Sequence, residues 1–516
     1  MVSKGMRSLL RLVILGLLIF PVAAAQSEPS HGGTLRVAIN SDPTNLDPHL
    51  STAFITRVVI SSVVEGLFAL DETYQPIPDL ATGFEASEDQ LTYTIALRDD
   101  VVFHDGTGMT SADVVASLGR WLDVSSPGRN LSPDIVSFEA LDDYTVEFTF
   151  SRPIGALLVS ALAFSYQMPA ILPASQVEGL EEGTVLQQPI GTGPFRIASV
   201  AAGSQIRLER HEEFATRSDP TDGLGGAKTA WLDAVVLHVA PESAVRAAGL
   251  EAGDFDFALN LPTDGLPRFE ANPNLTLYRP YNGSLDMVLN SRLGPLSDSL
   301  LRDAFVAALD MESMMMAAFG DPSLYRIDGG LWPQETAWWT QAGVEDYNQA
   351  DVARAAELIQ EAGYDGTPIR WLTTRDNAGY YEHAVVATEL LTQAGFVVEL
   401  EVVDFATILS RRFDETAWEV FQTGFSIQPD PTQYLVLDCE WPAFWCDEEK
   451  DRLLEELSLD APFEERYAIW EELQTYFWDF KPSVKVGDYF NLYGSTSNVH
   501  GYASLNQVFW HNVWMD

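Results

Sequence analysis

"ADVARAAELIQEAGYDGTPIRWLTT", residues 350–374, changes character part-way along. Up to Ala362 the apolar residues recur at three- and four-residue spacing, one face of an α-helix. Gly363 then supplies a helix stop, and "TPIRWLTT" is a short strand-forming run. The unit repeats at once: "YYEHAVVATELLTQAG" (380–395) ends on a glycine and leads into the alternating "FVVELEVVDF" (396–405). Helix, glycine stop and strand, joined by short links, predict right-handed parallel crossovers. The fold class is therefore α/β.

Earlier stretches add strands and helices to this frame. "GGTLRVAI" (32–39) alternates as a strand, and "NLDPHL" (45–50) breaks regular structure at Pro48. Phe54 to Leu70 has helical spacing, and "QLTYTIALRDDVVF" (90–103) reads as paired strands. "MTSADVVASLGRWL" (109–122) is a helix capped by Thr110 or Ser111, with Asp113 in its first turn. "DDYTVEFTF" (142–150) alternates again. "PIGTGPFRI" (189–197) is a turn feeding a strand, and "PESAVRAAGLEAGDFDFAL" (241–259) a helix, a break at Gly253 and a strand. No repeat of solenoid length is present.

The 516 residues are 46% apolar, enough for a large, multi-lobed molecule. The expected division is lobe I at 26–66, 189–280 and 490–516, an inserted subdomain at 67–188, and lobe II at 281–489. Lys4, Arg7 and Arg11, the apolar run Leu12 to Phe20 and Ala23-Ala24-Ala25 form an export signal, residues 1–25, cleaved before Gln26. Its apolar run is too short to span a bilayer, and the absence of a nearby cysteine argues against a lipid anchor. The expected location is periplasmic. There the only cysteines, Cys439 and Cys446, close a local disulfide; zinc would need two more ligands.

The net charge is −45, with only five lysines. Such a field repels nucleic acid and anionic membranes. Charges spread along the whole chain describe a solvated acidic surface; attraction of cationic ligands is the alternative.

Catalytic signatures fail one by one. "VVFHDGTGMTSADVV" (101–115) holds His104 and Asp105 in a tight turn, where neighbouring side chains diverge, and "DG" is itself a turn signal. "HEEF" at His211 lacks the second histidine of a helical zinc motif. No nucleophile elbow or phosphate loop occurs; in "GTGPF" Pro194 withholds an N–H and a strand follows. "GDFDFAL" lacks the rest of a calcium loop. The expectation is no enzyme, no cofactor and no metal.

Taken in order, several motifs resemble the family 5 extracellular solute-binding proteins of ABC transporters, the dipeptide- and oligopeptide-binding type. They are "GGTLRVAINSDPTNLDPH", "LRDDVVFHDGTGMTSADVVASLGR", "PIGTGPFRI", "LEAGDFDFAL", "GPLSDSLLRDAFVAALD", "YNQADVARAAELIQEAGYDG" and "QPDPTQYL". The resemblance covers nearly all of residues 33–503. It implies a periplasmic binding protein-like fold, with two lobes joined by crossing strands and a third subdomain that contains the His104 turn. It also implies a monomer that closes on a small-molecule ligand, a peptide or other polar solute, and docks on an ABC permease and ATPase complex.

In peptide-binding members an Asp four residues before the motif proline holds the ligand's α-ammonium. The matching position in "GFSIQPDPTQY" is Ile427, so ordinary amine recognition is absent there. Asp430 and Asp286 are the candidate replacements; the alternatives are that Asp430 shapes its turn and that Asp286 is structural. The resemblance also assigns Thr52, Ala53 and Phe54, and Gly424, Phe425 and Ser426, to the cleft. Gly424 and Ser426 would present backbone groups to the ligand. Arg375 and Tyr380 reach the cleft in this reading, Arg375 as a carboxylate clamp; its alternative is a surface pair with Asp376 or Glu382. Trp338 and Trp339, with "GGLWP" (329–333), form either a lid or sugar-stacking face, which suits an oligosaccharide ligand, or core.

Overall fold

Strand Thr34–Ile39 buries Leu35, Val37, Ala38 and Ile39, so both its faces are covered. It pairs in parallel with Ala234–Val239 and with Phe257–Ala258, the setting in which continuous apolar strands occur. The computed structural model describes residues 28–163, 166–181, 183–503 and 505–516; the export signal expected at residues 1–25 lies outside them. The first sheet has seven strands, ordered Leu275–Tyr278, Tyr493–Thr496, Phe257–Ala258, Thr34–Ile39, Ala234–Val239, Gln205–Arg210 and Phe195–Ala201.

The second sheet has six strands, ordered Tyr325–Arg326, Ser483–Phe490, Tyr281–Leu289, Val420–Phe425, Ile369–Thr373 and Val398–Val402. Its last three strands are parallel, as the repeated helix–glycine–strand unit predicts. Helices Val352–Ala362 and Tyr380–Ala394 stop on Gly363 and Gly395, both left-handed, at φ 68° and 114°. The chain passes from the first sheet to the second at Arg279–Pro280 and returns at Asn491–Leu492. There the Asn491 N–H donates to the Pro280 carbonyl at 3.0 Å, tying the two crossings together.

A third, four-stranded antiparallel sheet runs Ala81–Ala86, Thr92–Leu97, Thr145–Phe150, Ile135–Asp142. Helix Ser111–Val124 covers it, and its Val114, Leu118 and Trp121 share a core with Tyr93 and Phe148. Thr110 is the N-cap, and its backbone N–H donates to the Asp113 carboxylate at 2.8 Å.

Two local expectations need correction. The helix expected from Phe54 to Leu70 ends at Ile60. Beyond it, the carbonyls of Ser62 and Val63 accept from Phe195 and Gly193, so they are committed to the incoming strand, and Phe68–Leu70 is extended. Within residues 90–103 only Thr92–Leu97 is a strand, and it pairs with Ala81–Ala86 and Thr145–Phe150. Arg98 turns aside to bond Asp100 and the Ala215 carbonyl, and Val102 bridges Gly108 instead.

That bridge closes the His104 turn. The Gly191 N–H donates to His104 Nδ1 at 3.2 Å, so Nε2 carries the proton and donates to the Gly193 carbonyl at 2.9 Å. Burial pushes the imidazole down to about 4, which keeps it neutral. The turn is a buckle between the four-stranded subdomain and the glycine-rich entry to the first sheet. Among the described residues no cluster of His, Cys, Asp and Glu has the makings of a metal site. Cys439 and Cys446 form the expected disulfide.

Candidate functional site

Strands Tyr281–Leu289 and Val420–Phe425 run antiparallel at the centre of the second sheet, with Ser284 opposite Phe425, Leu285 opposite Gly424 and Asp286 opposite Thr423. Past Phe425 the chain leaves the sheet, and a cavity of about 290 Å³ opens against its end. Ser284, Trp332, Gly424, Ser426 and Ile427 line it from the second-sheet side. Tyr166, from the segment that follows the four-stranded sheet, faces them and hydrogen-bonds Ser426. A larger cavity of about 740 Å³ continues outward and shares Tyr166, Gln428, Gln433, Tyr434 and Leu435 with the first. Thr52, Arg152 and Gln167 form its near side, and Cys439, Lys450 and Asp451 its far side. Together these make a cleft between the second sheet, the four-stranded subdomain and the Thr52 loop. It has the dimensions of a small-molecule site.

The expected site residues separate into three groups. Thr52, Gly424, Phe425, Ser426 and Ile427 line the cleft. Ala53 and Phe54 begin helix Phe54–Ile60 immediately beside it. Tyr380 is buried directly behind the wall, its hydroxyl 2.8 Å from where a Cβ would stand on Gly424. Ile427 packs with Leu70, Tyr74 and Tyr281, an apolar junction of the three regions where a charged anchor would have had to be desolvated.

Asp430 and Arg375 fall elsewhere. The Asp430 carboxylate accepts from Thr432 and pairs with buried Arg466 at 2.7 Å. It starts the Pro431–Gln433 turn and does not line the cleft. Arg375 is exposed and sits 3.4 Å over the Tyr381 ring, so the structure supports neither the clamp nor the pair with Asp376 or Glu382. Aromatic attraction with a solvated guanidinium holds it outside. Trp338 is core, its indole N–H donating to the Pro429 carbonyl, and the Trp339 N–H donates to Asp328. Neither of the two lines the cleft, whereas Trp332 of "GGLWP" does.

Asp286 lies one step deeper than Ser284 on the same strand and is 1% exposed. The Ser284 hydroxyl donates to it. Lys485 stands opposite in the ladder, yet its ammonium pairs with Asp488 at 2.8 Å and with the Gly330 carbonyl at 2.5 Å. Asp488 also holds Arg326, which in turn pairs with Glu335. The two cations are thus matched by Asp488 and Glu335, and Asp286 is the surplus acid. Burial, the largest influence, pushes its carboxyl up to about 7; Ser284 and Lys485 pull it down and Asp488 pushes it up.

Tyr166 and Gln167 were not anticipated and have no sequence signal separating them from core or loop, whereas Gln428, Gln433 and Tyr434 lie within "QPDPTQYL" and Trp332 within "GGLWP". Arg57 does have one, as the only charge between His49 and Glu65. It lies beneath Tyr166, with its guanidinium carbon 4.6 Å from the ring centre.

Residues 75–439 match the profile of the bacterial extracellular solute-binding proteins, family 5. The chain belongs to that family. Its members bind solutes, so this is a binding protein and not an enzyme. It is 30% identical to the probable peptide ABC transporter periplasmic-binding protein y4tO of Sinorhizobium fredii, over 90% of each chain. It is 25% identical to the glutathione-binding protein GsiB of Salmonella typhi, over 90% of this chain and 89% of that one. In fold, this family 5 protein is similar to DppA of Helicobacter pylori in complex with the peptide STSA (TM-score 0.75, 23% identity, 94% and 99% covered). It is also similar to CtaP of Listeria monocytogenes (TM-score 0.80, 22% identity, 94% and 100% covered). Among the described residues no helix is long and apolar enough to cross a membrane.

Proposed function

We propose that this protein is the periplasmic solute-capturing component of an ABC importer for peptides or peptide-like amino compounds. The export signal is removed after Ala25, and the loaded protein docks on a permease whose partner ATPase drives uptake. The observation that carries the reading is the cleft itself. Its walls come from separate bodies, and the Tyr166–Ser426 contact joins them.

Lobe II (281–489) moves against lobe I and the inserted subdomain about the tied crossings at Pro280 and Asn491. Closure makes the Tyr166–Ser426 contact, opening breaks it, and a solute touching both walls favours the closed form. Peptide-type relatives support the ligand class, and the burial of Trp338 takes away one motive for an oligosaccharide. With Ile427 at the usual anchoring position, Asp286 is the residue left to take a ligand ammonium, reached past Ser284. Gly424, Phe425 and Ser426 present the strand end to the ligand main chain.

Calorimetric titration with di-, tri- and tetrapeptides, free and N-acetylated, tests the reading. Free peptides should bind, contract the small-angle scattering envelope and be recovered unchanged. Asp286→Asn should weaken them several-fold without lowering the melting temperature. An envelope that never changes and affinity for none of the peptides would defeat the proposal.

A further inference from the structure

Arg57 projects from helix Phe54–Ile60 at the edge of the cleft, and its side chain is nearly enclosed: the residue is 7% exposed. Its Nη1–H donates to the Thr52 carbonyl at 3.0 Å. The guanidinium carbon lies 4.6 Å from the Tyr166 ring centre and 5.7 Å from that of Phe54. A guanidinium has five N–H donors, and among the described residues one is used.

No carboxylate is present among these neighbours, in a chain with 75 acidic residues and 30 basic ones. The groups acting on its charge are burial, which lowers its pKa, and the phenols of Tyr166 and Tyr493. Two other buried arginines, with acids nearby but none in salt-bridge contact, show what a structural one looks like. Arg246 bonds the carbonyls of Leu259, Ala240, Pro241 and Asn260. Arg302 bonds those of Phe480, Leu296 and Ser297. Arg57 leaves most of its donors unspent, between Thr52 and Tyr166, two residues that line the cleft.

We propose that Arg57 is a specificity-determining residue that receives a carboxylate of the captured solute, a free C-terminus or an acidic side chain. The inference rests on the solute-capture reading above and adds to it the anionic end of the ligand. A planar guanidinium already held between two rings loses little freedom on binding, and its remaining N–H groups match a carboxylate in two-point contact. The solute then supplies the counter-charge that the fold withholds, which rewards closure only for an anionic ligand. With Asp286 on the facing sheet, Arg57 completes a pair of opposite charges, a match for a zwitterion.

The test uses the exported chain with tri-alanine, alanyl-alanine and glutathione, each as free acid and as C-terminal amide, read by calorimetry and thermal denaturation. For glutathione both carboxyls are amidated. The acids should bind the wild type at least about tenfold more tightly than the amides. Arg57→Gln should erase that ratio, Arg57→Lys should keep part of it, and the unliganded melting temperature of Arg57→Gln should not fall. Equal binding of acids and amides to the wild type overturns the inference without any variant. So does an unchanged ratio in Arg57→Gln, or a fall in its unliganded melting temperature with the ratio preserved. If no probe binds at all, the capture of peptides fails, and the role of Arg57 fails with it.

Discussion

Tyr380 and Gly424 touch through the back wall of the cleft: a Cβ on Gly424 would stand 2.8 Å from the Tyr380 hydroxyl and 2.6 Å from the Ser284 carbonyl. Ser284 belongs to the neighbouring strand, and its backbone cannot withdraw without disturbing the ladder that positions Asp286. Gly424→Ala should therefore cost about 1–3 kcal/mol, the usual range for overpacking, seen as a lower urea midpoint. Peptide affinity should fall alongside it. A variant as stable as the wild type would show that the two strands separate easily.

Asp286 makes stability pH-dependent in a definite direction. Its carboxyl titrates at about 7 when folded and at about 3.9 when unfolded. Between those values the folded state holds the extra proton, so stability falls as pH rises from about 4 to 7, by up to about 4 kcal/mol for this group. Asp286→Asn removes that loss. Relative to the wild type, the variant should gain stability from pH 4 to pH 8 in urea denaturation. A difference that does not vary with pH would mean that the carboxyl titrates normally.

Asp430 should behave as a structural residue. Removing it leaves Arg466 buried without its charge partner, a loss of about 3–5 kcal/mol in similar cases. Asp430→Ala should lower the thermal midpoint by several degrees, whereas Asp430→Asn, which can still bond Thr432, should lose less. If Asp430→Ala instead melted normally and lost only ligand affinity, the residue would belong to the cleft.

The Cys439–Cys446 bridge closes a loop of sequence separation 7, and Cys439 lines the larger cavity. Loop-closure entropy for so short a loop is about 2 kcal/mol. The double serine variant should lose roughly that amount in urea denaturation. It should also bind longer peptides less tightly than dipeptides, because the loosened wall lies away from Ser284. Equal losses for all lengths would place the ligand against this loop at every length.

Much of the frame was legible in the chain because it rests on local chemistry. Gly363 and Gly395 end helices wherever the backbone must turn left-handed, and the crossovers follow from their spacing. Asp113 reaches its own N-cap three residues back. Strand and helix lengths near Phe54–Leu70 were not legible. There the Ser62 and Val63 carbonyls are claimed by Gly193 and Phe195, more than a hundred residues away.

Among site residues, the run Gly424–Ile427 was marked only by the family resemblance around Pro431. Asp430 and Arg375, of opposite charge, were both candidates for the cleft, but the fold gives one Arg466 and the other the Tyr381 ring as its partner. Tyr166 and Arg57 show the converse: they belong to the site because the fold brings helix Phe54–Ile60, the Tyr166 segment and Ser426 together.

From sequence alone came the α/β class, the order of its elements, the disulfide and the lack of any catalytic constellation. All of these depend on periodicity, turn chemistry and residue type within a few positions. Tertiary structure alone decided which charges are spent and which remain available. A carboxylate or guanidinium is neutralised by whatever the fold sets within hydrogen-bond reach, and those partners are distant in the chain.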